Sequence, residues 1–277
     1  MSNKKDSLGD RMKRYEGVLR NFLTRRVPVI IRLDGKAFHT FTKGMRKPFD
    51  RILMNAMQDT MQYLCKNIQG CVFGYTQSDE ITLVLIDYTT IKTDAWFGYN
   101  VQKMTSIAAS MATLAFNSCF IDGANAALQY YDMESNVEAA LEFDYSVYER
   151  RFGQALFDAR VFSIPEDEVC NCLIWRQQDA TRNSIEAVGQ ANFSHKELQG
   201  KSCNDIQEML WSKRSINWND FPVDCKRGAC CYRKCSEVQM QDPRDASKTI
   251  TVARRGWVID REPPIFTQDR NYIEGWL

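Results

Sequence analysis

The chain lacks an excess of either charge. Its 36 Lys and Arg stand against 35 Asp and Glu, a formal charge of +1. No global polybasic character draws it to nucleic acid, so any such contact has to come from local patches. It reads as lacking an apolar run of membrane-span length, and residues 1–6 lead into no signal h-region. No internal repeat or low-complexity tract interrupts the 277 residues, enough for one large domain or two small ones. Cysteine is not scarce. Ten of them, irregularly spaced and without a secretory signal, read as reduced thiols. The expectation is a soluble, cytoplasmic protein.

What is present centres on residues 73–85. Residues 71–75 form a short apolar strand, 76–78 carry turn chemistry, and 81–86 are rich in β-branched residues, which together predict a hairpin. Asp79 and Glu80 fall where the second strand begins. Adjacent strand residues face opposite ways, so one acid can meet a ligand while the other supports it. A buried strand pair gains nothing from acids there unless they are solvated, paired or holding a cation. Taken alone, an Asp beside a turn is usually a local cap.

Upstream, residues 27–33 form a nearly continuous apolar run, as for a strand buried on both faces, ending in Asp34-Gly35. A carboxylate at a strand end followed by Gly suits a hard cation. Were the two strands neighbours, Asp34 and Asp79 would converge, and two carboxylates plus a backbone carbonyl can hold paired Mg²⁺ ions.

Helical periodicity is predicted over 8–24, 50–68 and 96–120, and a strand over 156–164. The order strand, helix, strand, strand, helix, strand is that of the split βαβ, ferredoxin-like arrangement used by polymerase palms. The fold class is therefore α+β. The expected division is a palm-like domain over 1–165, with an antiparallel βαββαβ sheet carrying helices on one face. A mixed helical and β region over 166–277 would serve RNA binding and assembly, with helices over 166–190 and 196–213 and strands over 229–238 and 249–260. The tail beyond Pro263 shows no strong pattern. Cys225, Cys230, Cys231 and Cys235 fit no common zinc spacing and read as plain thiols. Lys226, Arg227, Arg233, Lys234, Arg254 and Arg255 form a candidate RNA-backbone patch, with a solvated strand face as the alternative.

The combination Arg32-Leu33-Asp34-Gly35, Phe38-His39, Lys47-Pro48, Gly74-Tyr75 and Gln77-Ser78-Asp79-Glu80 resembles the tRNA-His guanylyltransferase family. The segments 175–184, 216–220 and 226–228 are similar to its bacterial, archaeal and phage guanylyltransferase-like members. The resemblance implies 3′–5′ RNA polymerisation with two Mg²⁺ ions, bound by Asp34, Asp79 and the Gly35 carbonyl, with Glu80 supporting the site. It implies nucleotide contacts from Lys36, Ala37, Phe38, His39, Lys47, Ser78, Asn100 and Lys103, and RNA contacts from Arg182, Asn183, Lys226 and Arg227. Asn100 stands where eukaryotic members carry a basic residue. ATP and other NTPs are the implied substrates, tRNA the partner, and a homotetramer the assembly. The eukaryotic His-Ile-Asn-Asn motif is replaced by Ala180-Thr181-Arg182-Asn183, which favours repair of 5′-truncated tRNA over addition of the extra G to tRNA-His. The alternatives are that guanylyltransferase, a palm-type cyclase or polymerase, and a non-catalytic RNA-binding module. The last would display stacking aromatics on its sheet, where this chain offers aliphatic and acidic residues.

Overall fold

The computed structural model describes residues 7–133, 143–242 and 245–277. In chain order the elements are α1 (Leu8–Gly17), β1 (Val29–Gly35), α2 (Phe38–Phe41), α3 (Arg51–Asn67), β2 (Cys71–Gln77), β3 (Glu80–Leu85) and α4 (Val101–Met133). Then follow α5 (Tyr145–Glu149), β4 (Phe157–Ser163), α6 (Glu166–Asn192), α7 (His195–Leu198), α8 (Cys203–Arg214) and α9 (Val223–Arg227). The hairpin strands β5 (Ala229–Asp242) and β6 (Asp245–Asp260) and a last turn, α10 (Asn271–Glu274), complete the chain.

The six strands form one sheet in the order β4-β1-β3-β2-β5-β6, and every neighbouring pair is antiparallel. β3 lies between β1 and β2, so the expected split βαβ arrangement is present. Strand alternation sorts β1 between two cores. Val29, Ile31 and Leu33 pack with Met57, Met61 and Leu64 of α3 and Met104, Ala108, Phe116 and Phe120 of α4. Ile30 packs on the opposite face with Val169, Cys170 and Leu173 of α6. The palm's own two helices thus share one face, and α6 covers the other.

Local chemistry explains the helix bounds. Asp50 caps α3, its carboxylate accepting from the Leu53 amide at 3.0 Å. Three acids, Glu166, Asp167 and Glu168, open α6 and complement its dipole. Gly200, with φ of +73°, separates α7 from α8 where one helix is expected over 196–213.

Other expectations are revised. The α1 helix stops at Gly17, and its apolar stripe, Leu8, Met12 and Tyr15, is exposed. Within α4, Val101–Tyr130 is long and apolar enough in composition to cross a membrane, with a mean hydropathy of 1.4, contrary to the expectation that no such run exists. Ala108, Ala112, Ala124, Phe116 and Phe120 lie in the core with the sheet, while Ile107 and Leu114 are exposed. The helix expected over 96–120 runs on as α4 to Met133, and 134–142 lie outside the described residues. The patternless tail is packed: Phe266 and Ile273 are buried under α6, and Gln177 pins the tail backbone by bonding the Phe266 amide and the Pro264 carbonyl.

Candidate active site

β1 ends at Asp34-Gly35, and β2 and β3 are joined by the two-residue turn Ser78-Asp79. Asp79 is therefore in the turn, not in the strand. The Gly35 amide donates to the Asp79 carbonyl at 3.0 Å, which latches the turn to the end of β1. Ser78 takes the left-handed conformation (φ 49°), and its hydroxyl donates to an Asp79 carboxylate oxygen at 3.1 Å. Gly35 is required by space: a Cβ there would lie 2.3 Å from the buried Phe38 ring. That ring is fixed among Phe41, Phe116 and Phe157, with centroids 5.0–5.4 Å away.

Asp79 senses Asp34. Burial pushes the Asp79 carboxyl above its usual range, and the nearby Asp34 charge pushes in the same direction against the turn hydrogen bonds. A cation between them would relieve that repulsion. Among the described residues no group of three or more His, Cys, Asp or Glu side chains could hold a metal. Two carboxylates and the Gly35 carbonyl nevertheless suit Mg²⁺, which keeps several waters and takes substrate phosphates as further ligands.

Glu80 behaves differently. It is buried beside Asp34, its register partner across the β1–β3 ladder. Nη1 of Arg176, on α6, donates to both its oxygens at 2.8 and 3.1 Å. Burial raises the Glu80 carboxyl above its ordinary value, while the Arg176 guanidinium opposes the rise. Around this pair, Arg32 lies 3.9 Å from Glu80 and Asp179 lies 3.2 Å from Arg176. At the other edge Arg160 reaches Asp34 at 3.9 Å and Asp158 at 3.6 Å. The arginines and Asp158 and Asp179 are absent from the expected site. A signal existed, because Arg32 and Asp34 share one face of β1, and Arg176 and Asp179 stand three apart on a helix.

The remaining expected residues divide. Lys36, Ala37, His39, Lys47 and Ser78 are exposed at this end of the sheet or in the loop beyond it. Ala37 takes a left-handed conformation and opens the single turn α2. Ser78 and Asn183 line one 150 Å³ cavity with Pro48, Phe49 and Gly228. Arg182 is exposed beside them, paired with Asp179. Three residues do not match expectation. Phe38 can offer only backbone, since its ring is core. Asn100 is buried and caps α4, its side-chain oxygen accepting from the Lys103 amide at 3.0 Å. Lys103 stands with it at the opposite end of the sheet. Thr113 of α4 bonds Phe157, the register partner of Gly35, and ten helical residues separate Lys103 from Thr113, roughly 15 Å.

Lys226 is also displaced from its expected role. It is buried, donates to the Asn219 carbonyl and lies over the Trp218 ring, 5.6 Å from the centroid. Arg227 presents its carbonyl to the Tyr75 hydroxyl at 2.7 Å. Gly228 lets this segment close on β2: a Cβ there would sit 2.3 Å from the Thr76 carbonyl oxygen. Cys225, Cys230 and Cys231 are buried thiols and Cys235 is exposed.

The comparisons with known proteins agree with this geometry. The family described as Thg1, tRNAHis guanylyltransferase, matches residues 9–165, more than half of the chain. The chain belongs to the Thg1 family of nucleotidyltransferases. A solved bacterial Thg1-like protein in complex with ATP is 41% identical, covers 98% of both chains and superposes with a TM-score of 0.77. A bacterial Thg1-like protein in complex with GTP is 39% identical with a TM-score of 0.73, over 98% of this chain and 99% of that one. The tRNA(His) guanylyltransferase of Saccharomyces cerevisiae is 27% identical over 222 residues, 74% of this chain and 82% of that protein. As a Thg1-family enzyme, the chain carries the family's palm-type fold and guanylyltransferase-like chemistry.

Proposed function

We propose that this Thg1-family enzyme repairs the 5′ end of truncated tRNA, adding nucleotides in the 3′–5′ direction opposite the acceptor strand. The observation that carries the reading is the approach of Asp34 and Asp79 at the Gly35 latch, next to Ser78, which with Asn183 lines a cavity. The relatives solved with ATP and with GTP support nucleotide substrates. In this reading ATP activates a 5′-monophosphate, releasing pyrophosphate. The 3′-hydroxyl of an incoming NTP then attacks the adenylylated end and expels AMP.

Asp34, Asp79 and the Gly35 carbonyl would hold two Mg²⁺ ions. When bound there, the metal supplies a lowered hydroxyl pKa and charge compensation for the triphosphate. The protein's own part is positional. The Gly35–Asp79 hydrogen bond fixes the two aspartates relative to each other, and the Phe38 cluster holds the turn after Gly35 rigid. Lys47 and His39 offer donors to phosphate oxygens from the loop beyond β1. The exposed face of α6, with Arg182, and the region 166–277 would carry tRNA, with assembly as a homotetramer.

Repair is favoured over dedicated tRNA-His guanylylation by Ala180-Thr181-Arg182-Asn183, which lacks the histidine of the eukaryotic motif. It is favoured also by full-length likeness to a bacterial Thg1-like protein, against 24–27% identity to proteins named tRNA(His) guanylyltransferase. The second reading, addition of one G to tRNA-His, rests on those names. Supplying tRNAs shortened by one nucleotide with each NTP separately tests the two. Repair predicts addition only of the complementary nucleotide, whereas guanylylation predicts G whatever the opposing base.

A further inference from the structure

Glu80 is the acid closest to joining the cation site, and it is held away from it. Asp34 and Glu80 are opposed on neighbouring antiparallel strands, so their side chains leave the same face with Cβ atoms roughly 5 Å apart. A freely rotating Glu80 would reach any ion held by Asp34. Arg176 claims both of its carboxylate oxygens, at 2.8 and 3.1 Å, from a position only 6% exposed. Arg176 is itself fixed on three sides. Its second terminal nitrogen meets Asp179 at 3.2 Å, Trp175 stacks at 3.7 Å from its centre, and Arg182 holds Asp179 from outside. The ladder Glu80–Arg176–Asp179–Arg182 therefore runs from the turn that carries Asp79 to the exposed face of α6.

We propose that Arg176 is a positioning residue that keeps Glu80 out of the cation site and so holds that site to two carboxylates. This rests on the reading of Asp34 and Asp79 as cation ligands. Ligand number decides which ion is preferred. Mg²⁺ takes one or two carboxylates and keeps its waters for exchange with phosphates, whereas extra carboxylates raise the affinity for ions that tolerate more protein oxygens. A third acid would retain the ion in the absence of nucleotide and occupy positions meant for the triphosphate. Arg176 prevents this by spanning two acids, Nη1 on both Glu80 oxygens and Nη2 on Asp179, a two-ended link that the single ammonium of a lysine cannot reproduce.

The test is binding of Mn²⁺ alone to the full chain, followed by electron paramagnetic resonance with and without ATP. The proteins are the wild type, Arg176→Met, Arg176→Lys, Arg176→Met with Glu80→Gln, and Asp79→Asn. Arg176→Met is expected to bind Mn²⁺ about tenfold more tightly than wild type without ATP, the effect of one added carboxylate. The double variant is expected to return to the wild-type value, which a merely structural role for Arg176 would not produce. Should Arg176→Met fail to fold by circular dichroism, Arg176→Lys carries the comparison, with a smaller gain that Glu80→Gln again cancels. An unchanged or weakened Mn²⁺ affinity in the Arg176 variants, or a gain that survives Glu80→Gln, overturns the proposal while leaving the Asp34–Asp79 site intact. Absence of Mn²⁺ binding in the wild type even with ATP, or binding unaffected by Asp79→Asn, overturns the cation reading and this inference with it.

Discussion

Asp34 and Glu80 face each other across the β1–β3 ladder, and they are held by different arginines. Arg160 approaches Asp34 at 3.9 Å from the exposed edge strand, and Arg176 grips Glu80 at 2.8 Å from α6. One acid is left accessible and the other is buried and neutralised. This asymmetry separates the acids that would meet a ligand from the acid that holds the frame.

Asp79 carries a conflict between stability and function. Its folded-state carboxyl titrates above the ordinary value of 3.8, first through burial and then through Asp34. The stability that the neutral form contributes is complete below the unfolded value and is lost as pH rises through the raised folded value. Asp79→Asn is therefore expected to melt with the wild type in strong acid and about 2–4 °C above it at neutral pH without divalent cation. The same substitution should lower nucleotide addition on the order of a thousandfold. Melting curves over pH 3–7 check the first part. A variant less stable than wild type at neutral pH would contradict it.

Breaking the Arg176–Glu80 pair from the acid side leaves a buried cation unmatched. Glu80→Ala should cost about 3–5 kcal/mol, because Arg176 is almost fully buried and Asp179 compensates only one of its nitrogens. Glu80→Gln, which keeps two hydrogen-bonding atoms, should cost less than half of that. Denaturant unfolding of both variants measures the difference.

Two glycines with positive φ should respond unequally to alanine. Gly228 has φ of +76° and would put its Cβ 2.3 Å from the Thr76 carbonyl oxygen, a backbone atom that cannot yield. The expected cost is about 2–4 kcal/mol. Gly98 has φ of +59° with nothing within 4 Å of the added carbon, so only the backbone preference is lost, about 1 kcal/mol. Equal melting temperatures would show that the α9–β2 junction is looser than described.

Lys226 and Arg182 should separate stability from RNA affinity. Lys226→Met removes a buried amine from the Asn219 carbonyl and the Trp218 ring, so it should destabilise by about 1–2 kcal/mol and leave RNA affinity unchanged. Arg182, 59% exposed, should do the reverse: Arg182→Gln weakens tRNA binding and reduces the slope of log affinity against log salt by about 1. Filter binding across a salt series, beside thermal melts, distinguishes them.

Much of this was legible in the sequence, for identifiable reasons. The run at 29–35 has no polar residue before Arg32, which marks a doubly covered strand, and the turn between β2 and β3 carries its own Ser-Asp signature. Apolar periodicity over 50–68 marked α3, with Leu53, Met57, Met61 and Leu64 on one face. The misplacements are equally physical. Lys103 and Asn100 were implied as nucleotide contacts by the family resemblance alone, and residue type says nothing about which end of a sheet a helix starts from. Lys226 looked like a surface base because its partners, Trp218 and the Asn219 carbonyl, come together only once α9 closes on β2. Phe266 and Ile273 lie too far apart for local periodicity, so the tail's packing shows only against Tyr75 and Leu173. Arg176 was hidden within a recognised motif, and its role depends on a contact 96 residues away.

The most direct test of the account uses a tRNA lacking its first nucleotide, bearing a labelled 5′-monophosphate, with ATP, Mg²⁺ and one NTP at a time. The account predicts extension only by the nucleotide complementary to the opposing base, abolished in Asp79→Ala. Failure to extend any tRNA, by a folded protein that binds NTP, would contradict it.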